Sequence, residues 1–509
     1  MMKFIYCCLA LCFIVQILVA KEFDVKDYGA VGDGKFLNTE SINAAIKDCH
    51  NSGGGTVRFP SGVYLSGSIQ ILSSVTLELD AGAKILASPN LEDYDDLGVK
   101  SEGRSTSFIW AKRAKNISIV GRGVIDGNDM AFFDADVTGP EWQVDYSVVR
   151  QGNDFKVRLP DGPLKTKDRP GMLMTFIECE NMLFEGITVQ KAPNWNIHLA
   201  CCKYVDFTNI KVLNSLLVPN SDGLDISQSQ HVHISGCTII AGDDGIAISP
   251  CADGFCDGEA RDITVTNCTI ESRSAAIRLG WAKSRIGDCV FQNLILNSNR
   301  GICINGRLGE TIENIIFSDL IINTRLHSGW WGKAEPIHIS EMPLDNSYED
   351  AEKRREHSLI QNIRFSNIQI NSEAGVLLYA FHPGSIRNIS FDGVDMQISN
   401  GKFQQYSGGN FDLRPSKDHK LSVFAHDIPA IYLKGTKDIS IRNYSVQWLD
   451  EMPDYYTNAI YGEDFDGLLI EDVQLAVPPG TTHPEAYLKN GKNCRLDNRI
   501  KSIEKKNIK

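Results

Sequence analysis

The chain has 509 residues, 42% hydrophobic and 23% charged, with a formal charge of −13. That is the make-up of a globular protein with a large core. The acidic balance argues against nucleic acid or an anionic membrane as partner, since both want a basic face.

Residues 1–20 read as a signal peptide. Lys3 supplies the positive start, Phe4 to Val19 is apolar apart from Gln16, and Ala20 offers a small residue for cleavage. Cys12 follows Leu11 rather than a small residue, which argues against a lipid anchor. No later run approaches the ~18 apolar residues of a membrane span. The expectation is a soluble, monomeric protein, secreted or periplasmic, without membrane insertion.

Thr39 to His50 is the clear amphipathic helix, with Ile42, Ala45, Ile46 and Cys49 on one face. Beyond it one phrase recurs: a polar residue, an alternating apolar run, Asn, Asp or Gly, then more alternation. It starts at Asn181, Tyr204, His231, Asp262, Asp288, Asn314, Asn362, Asn388 and Asp438, at spacings of 23, 27, 31, 26, 26, 48, 26 and 50 residues. Strands at a period in the twenties, with no helices between them, indicate a β-solenoid. A β-sandwich would turn every ~8–12 residues instead. The predicted fold is all-β: a single-stranded right-handed parallel β-helix over 21–488, its N-terminal end capped by the helix. Residues 489–509, rich in Lys and Asn, read as a basic C-terminal tail.

The chemistry concentrates in NSDGLDI (Asn220 to Ile226) and AGDDGIAI (Ala241 to Ile248). Asp222 and Asp243 are 21 residues apart, close to one coil, so they should stack on one face. Gly242 and Gly245 flank Asp243 and Asp244 and allow a departure from regular strand geometry. Three carboxylates on an open face suit glycoside hydrolysis: one protonates the leaving oxygen while another activates water. The bland alternative is a set of turn aspartates bonded to backbone. A calcium-binding lyase is a further reading, with Asp222, Asp225, Asp243 and Asp244 as oxygen ligands. A non-catalytic carbohydrate-binding solenoid is the third.

Other residues are weighed beside these. Trp195 and His198 sit one coil before Asp222 and are candidate cleft residues, as is Trp281 after Arg278. Trp330 and Trp331 lie in an insertion and either wall the cleft or pin their loop. His338 and Glu341 follow on a strand-like run, while Leu344 to Leu359 is a charge run suited to a solvated loop. Removing the signal leaves eleven of the 14 cysteines, an odd number. Most fall inside strands, and Cys251 with Cys256 is the best disulfide candidate. No Cys/His cluster suggests zinc, and the reading needs no metal or other cofactor.

At these motifs the chain resembles glycoside hydrolase family 28, the polygalacturonase-like and rhamnogalacturonase-like β-helix enzymes. FDVKDYGAVGDG from Phe23, GGGTVRFPSGVYLSGSIQI from Gly53, GRGVIDG from Gly121 and APNWNIHL from Ala192 precede the two aspartate motifs in the family's order. The likeness is clear from Phe23 to Ser249 and weaker to about Val477. It implies an inverting hydrolase acting on a pectin-type polysaccharide. Asp243 would be the general acid, with Asp222 and Asp244 holding and activating water. Asn220, Trp195, His198, Arg278, Trp281 and Arg307 would contact substrate. Two family motifs are missing. Where G-H-G is expected the chain has Ser274 to Gly280 without histidine, and where R-I-K is expected it has Cys303-Ile304-Asn305. Arg278, Arg300 or Arg307 could supply the cation from another coil, or the sugar at the cleavage point could be neutral, such as rhamnose.

Overall fold

The structure, a computed structural model, describes residues 21–101, 104–134, 162–249, 258–281, 284–327, 329–343, 357–403, 407–413, 423–449 and 451–509. The segment read as a signal peptide, Cys251 and Cys256, and most of the charge run lie outside them. Among the described residues no helix is long and apolar enough to cross a membrane.

Two long sheets, of 22 and 15 strands, parallel except where Asp95–Ser101 runs antiparallel to Arg104–Lys112, wind around one core. Each coil adds one strand to the smaller sheet and one or two to the larger, and the chain is a parallel β-helix. Alternation decides what faces inward. In the smaller sheet Ile197–Ala200 pairs with Leu224–Ser227, which pairs with Ile246–Ser249, then Ala275–Gly280, then Arg300–Gly306. Ile197, Leu224, Ile246, Ile277 and Ile302 occupy one register position and are buried in the core. His198, Asp225, Ala247, Arg278 and Cys303 follow them and point outward. In the larger sheet Phe291, Phe317, Phe365 and Phe391 stack coil upon coil at 4.7, 5.1 and 4.9 Å, each pair worth about 0.5–1.5 kcal/mol beyond its buried area.

The recurring polar residue of the sequence phrase has a conformational cause. Asn181, Tyr204, His231, Asp262, Asp288, Asn314, Asn362, Asn388 and Asp438 all have φ between 51° and 60°. They turn the chain into the larger sheet through the left-handed region, which Asn and Asp tolerate best among non-glycine residues. Their side chains also form a ladder: Asn388 donates to Asn362 at 2.7 Å, Asn362 to Asn314 at 3.2 Å, and Asn314 to Asp288 at 3.0 Å.

The helix Thr39–Asn51 buries Ile42, Ala45, Ile46 and Cys49, the face read from sequence, against the first coil. The other end differs from expectation. Lys492–Arg495 and Ile503–Lys506 pair in parallel with Asp466–Gln474 and Ala486–Lys489, so the residues read as a tail form a last coil. Their alternation is masked by lysines, because an outermost coil buries little beyond one face. Cys201 is disulfide-bonded, while Cys179, Cys202, Cys237, Cys268 and Cys289 are free and buried.

Candidate active site

Asp222 precedes the strand Leu224–Ser227 by two residues, and Asp244 precedes Ile246–Ser249 by two. Leu224 pairs with Ile246, and the Gly223 N–H donates to the Asp244 carbonyl at 2.9 Å. Asp222 is therefore in register with Asp244, not with Asp243 as the 21-residue spacing implied. From Leu224 to Ile246 this coil is 22 residues long. Glycines allow the coils to approach here. A Cβ on Gly242 would lie 2.2 Å from the Val218 carbonyl oxygen, and one on Gly245 would lie 2.4 Å from Ile270 Cγ2. Buried polar side chains then fix the loops. Ser221 Oγ donates to the Val218 carbonyl and accepts from the Gly242 N–H, at 2.8 and 3.1 Å. Asn214 accepts from the Ala192 N–H and from Asn196 Nδ2, and donates to the Ser221 carbonyl. Ser272 Oγ donates to the Asp243 carbonyl from the next coil.

The result is a concentration of negative charge with little water. Asp222, Asp225, Asp243 and Asp244 are each no more than 6% exposed. Burial, then the like charges of Asp225, Asp243 and Asp244, push the Asp222 carboxyl well above the ordinary carboxylate range; Arg278 pulls it back. Among the described residues, Asp222 Oδ1 has no hydrogen-bond partner. Arg278 Nε pairs with Asp244 Oδ2, and the Ala275 N–H donates to Asp244 Oδ1 at 3.1 Å. Burial opposes the charge of Arg278, but Asp244 and Asp222 more than hold it. Such a cluster keeps a proton at pH values where isolated carboxyls have lost theirs. Among the described residues no group of three or more His, Cys, Asp or Glu is arranged to hold a metal ion.

The other residues singled out from sequence divide. Asn220, left-handed at φ 55°, accepts from Arg169 Nη2 at 2.7 Å. Arg169 also donates to the Pro193 and Pro219 carbonyls at 2.7 Å each, tying the Trp195 and Asp222 loops together. Trp195 is buried edge-on against His198, ring centroids 5.2 Å apart. His198, expected at the cleft surface, is wholly buried. Its Nε2 lies 3.0 Å from Ser227 Oγ, and burial pushes its pKa down to about 3. Trp281, one residue past the sheet's end, is partly exposed with a left-handed backbone.

Arg307, expected to bind substrate, is instead a structural tie. It is wholly buried and donates to the Ser340 carbonyl, Ser340 Oγ, Asn305 Oδ1 and the Leu413 carbonyl at 2.7–2.9 Å. Arg300 is likewise buried, 3.5 Å from Glu335 and 3.2 Å from Asp412. His338 bonds Ser340 and faces Glu335, and Glu341 accepts from His382 and Ser385. Trp330 is buried, and the Trp331 carbonyl accepts from Asn299, so this pair pins its loop. Sequence reasoning missed Arg169, Asn214 and Ser272. Asn214, a polar residue closing an apolar strand, carried a usable signal; Arg169, 51 residues from Asn220, carried none.

The profile of Glycosyl hydrolases family 28 matches residues 49–404. A probable polygalacturonase from Vitis vinifera is 26% identical over 61% of this chain and 62% of its own length. An exo-poly-alpha-D-galacturonosidase from Dickeya chrysanthemi is 29% identical over 45% of this chain and 42% of its own. The chain thus spans about six-tenths or less of these relatives. The family 28 exopolygalacturonase of Yersinia enterocolitica shares the fold, with TM-score 0.61 and 18% identity over 90% of this chain and 79% of that one. The exopolygalacturonase of Thermotoga maritima gives TM-score 0.57 and 22% identity, over 75% of this chain and 88% of its own.

Proposed function

The chain belongs to Glycosyl hydrolases family 28, and we propose that it hydrolyses glycosidic bonds of a pectin-type polysaccharide with Asp222, Asp243 and Asp244. The observation that carries this reading is the register that brings Asp222 beside the Asp243–Asp244 pair, with Asp225 and Arg278 also acting on its carboxyl.

In the proposed reaction Asp243 gives its proton to the leaving glycosidic oxygen. Water attacks the anomeric carbon from the other side and yields its proton to Asp244, whose carboxylate Arg278 and the Ala275 N–H hold in place. Asp222 helps to hold that water, and its raised pKa keeps a proton within the cluster for the next turnover. Attack from the opposite face inverts the anomeric centre. The relatives' names favour galacturonan. Among the described residues the guanidinium of Arg278 is committed to Asp244, and the R-I-K position is occupied by buried Cys303 and Asn305; both support a neutral sugar such as rhamnose at the cleavage point. Export through residues 1–20 is part of the proposal.

The test is a product assay on polygalacturonan, rhamnogalacturonan and defined pectic oligosaccharides, with EDTA and calcium arms. Saturated reducing ends, indifferent to EDTA and lost in Asp243→Asn, are the expected outcome. Calcium-dependent unsaturated products would replace the reading with a lyase, and binding without cleavage would leave a carbohydrate-binding solenoid.

A further inference from the structure

The last coil carries charge of the opposite sign to the chain as a whole. Residues 486–509 hold eight Lys and Arg against two acidic residues, in a protein of formal charge −13. Five of the eight are committed to neighbours. Lys489 pairs with Glu463 at 2.9 Å, Lys492 with Asp466 at 3.2 Å, Arg495 with Glu471 at 3.1 Å and Arg499 with Asp472 at 2.6 Å, each a link to the preceding coil. Lys506 pairs with Glu504 at 3.0 Å and lies 5.0 Å over the Tyr487 ring. Lys501, Lys505 and Lys509 remain, all exposed and with no carboxylate in ion-pair reach among the described residues.

Their backbone is fixed. The Lys501 N–H donates to Glu485 Oε2 at 2.7 Å, Lys505 stands opposite Leu488 in the final strand pair, and the Lys509 N–H donates to the Gly491 carbonyl at 2.8 Å. Hydrogen-bonding groups lie between the ammonium groups. Asn507 donates to Asn490 at 3.0 Å and Asn490 to Asp464 at 3.2 Å, beside an open groove of about 540 Å³ that Lys492 and Lys509 also line. Tyr461 and Tyr487, both half-buried, stack at 5.0 Å on the adjoining smaller sheet. Among the described residues of this coil, Ile503 is the one exposed large apolar side chain.

An open sheet edge is blunted by charge of either sign. This one is almost all positive, so blunting does not account for the sign. A bilayer-binding surface adds several inserting aromatic or aliphatic side chains, which Ile503 alone does not supply. Lysines on ordered backbone, among phenols and amides, instead suit a polymer that is both anionic and rich in hydroxyls. We propose, resting on the pectin-type substrate inferred above, that the last coil is a docking surface for an acidic polysaccharide, held by Lys501, Lys505 and Lys509. From the strand after Asp244 to the last strand is eight coil steps, roughly 38 Å at the strand spacing. That is several times the ~8 Å Debye length at physiological salt, so these lysines attract the polymer independently of the carboxylate cluster. A long chain is held at one end of the solenoid while the aspartates meet it at another point.

The test follows migration of the Asp243→Asn chain through native gels containing polygalacturonan. It runs beside the same chain with Lys501→Glu, Lys505→Glu and Lys509→Glu, and a milder set with Lys501→Gln, Lys505→Gln and Lys509→Gln, each checked by a thermal melt. The polymer is expected to retard the parent at low salt and much less at high salt. The Glu set should weaken that binding by roughly tenfold, the scale of a few surface charges facing a polyanion, with the Gln set between. With Asp243 restored, the Glu set should also lower the ratio of kcat/KM on polygalacturonan to that on its trisaccharide. A parent that polygalacturonan does not retard, folded Glu variants retarded as strongly as the parent, or tighter binding to phosphatidylserine vesicles would each overturn the docking surface. Lysine-dependent retardation in a chain that cleaves no pectic substrate would uphold the docking surface and overturn the hydrolase reading instead.

Discussion

Two polar clusters sit on the same sheet, two coil steps apart, and they are built on opposite principles. Around Asp222, three further carboxylates gather with one guanidinium committed to Asp244, and Asp222 Oδ1 has no partner among the described residues. Around Arg300, opposite charges balance: Arg300 and Arg307 meet Glu335, Asp412 and a set of backbone carbonyls. Burial alone would raise the Glu335 pKa, but Arg300 and His338 hold the carboxyl far below its ordinary range. Balanced buried charge fixes a shape, while surplus like charge stores the means to move a proton. Sequence alone gives both clusters the look of a cleft.

The largest expected effect breaks the first cluster. Asp243→Asn should lower kcat by about 10²–10⁴-fold, the range for loss of a general acid, with the melting temperature nearly unchanged. A steady-state assay beside a thermal melt checks both halves. Breaking the second cluster should do the reverse. Arg300→Ala leaves Glu335 and Asp412 without their cation and should cost about 3–5 kcal/mol of stability, read from denaturant unfolding.

How much of this was legible follows from what each feature depends on. The coil phrase is local, because a left-handed residue, Asn or Asp at seven of the nine starts and Tyr204 or His231 at the others, begins each turn into the larger sheet, and so the starts could be read directly. The Asp motifs were legible as chemistry but not in register, since one residue in coil length exchanges Asp243 for Asp244 as the partner of Asp222. Arg307 shows the limit. Nothing near Gly306-Arg307-Leu308 says whether the guanidinium meets solvent or a carbonyl 106 residues away. Only the landing place of the insertions decides that, and insertion lengths do not encode it.

Acid sharpens the contrast at intermediate size. Burial pushes His198 to about 3 and His338 to about 4. Below the usual value near 6.5 the unfolded chain binds protons that the folded chain refuses. Stability should therefore fall as pH drops from 6.5 toward 4, by roughly 1.4 kcal/mol per pH unit for each histidine. Melts between pH 7 and 4.5 check the slope, and His338→Gln should flatten it. Because Arg278 pulls the Asp222 pKa down, Arg278→Gln should move the limb of the pH–rate profile set by the carboxylate cluster to higher pH. The smallest effect concerns Asp222 itself. Its raised pKa means that ionisation, as pH climbs past the ordinary 3.8, costs the folded state energy. Asp222→Asn should gain about 1–3 °C in Tm at pH 7, a gain that shrinks toward pH 4, while activity falls.

The central claim, that the aspartate cluster adds water across a glycosidic bond, is tested most directly by digestion in heavy-oxygen water. Mass spectrometry of the first products from the wild type should show one solvent oxygen per bond cleaved, and Asp243→Asn should give none of that product. Unlabelled, unsaturated products, or labelled products undiminished in Asp243→Asn, would contradict it.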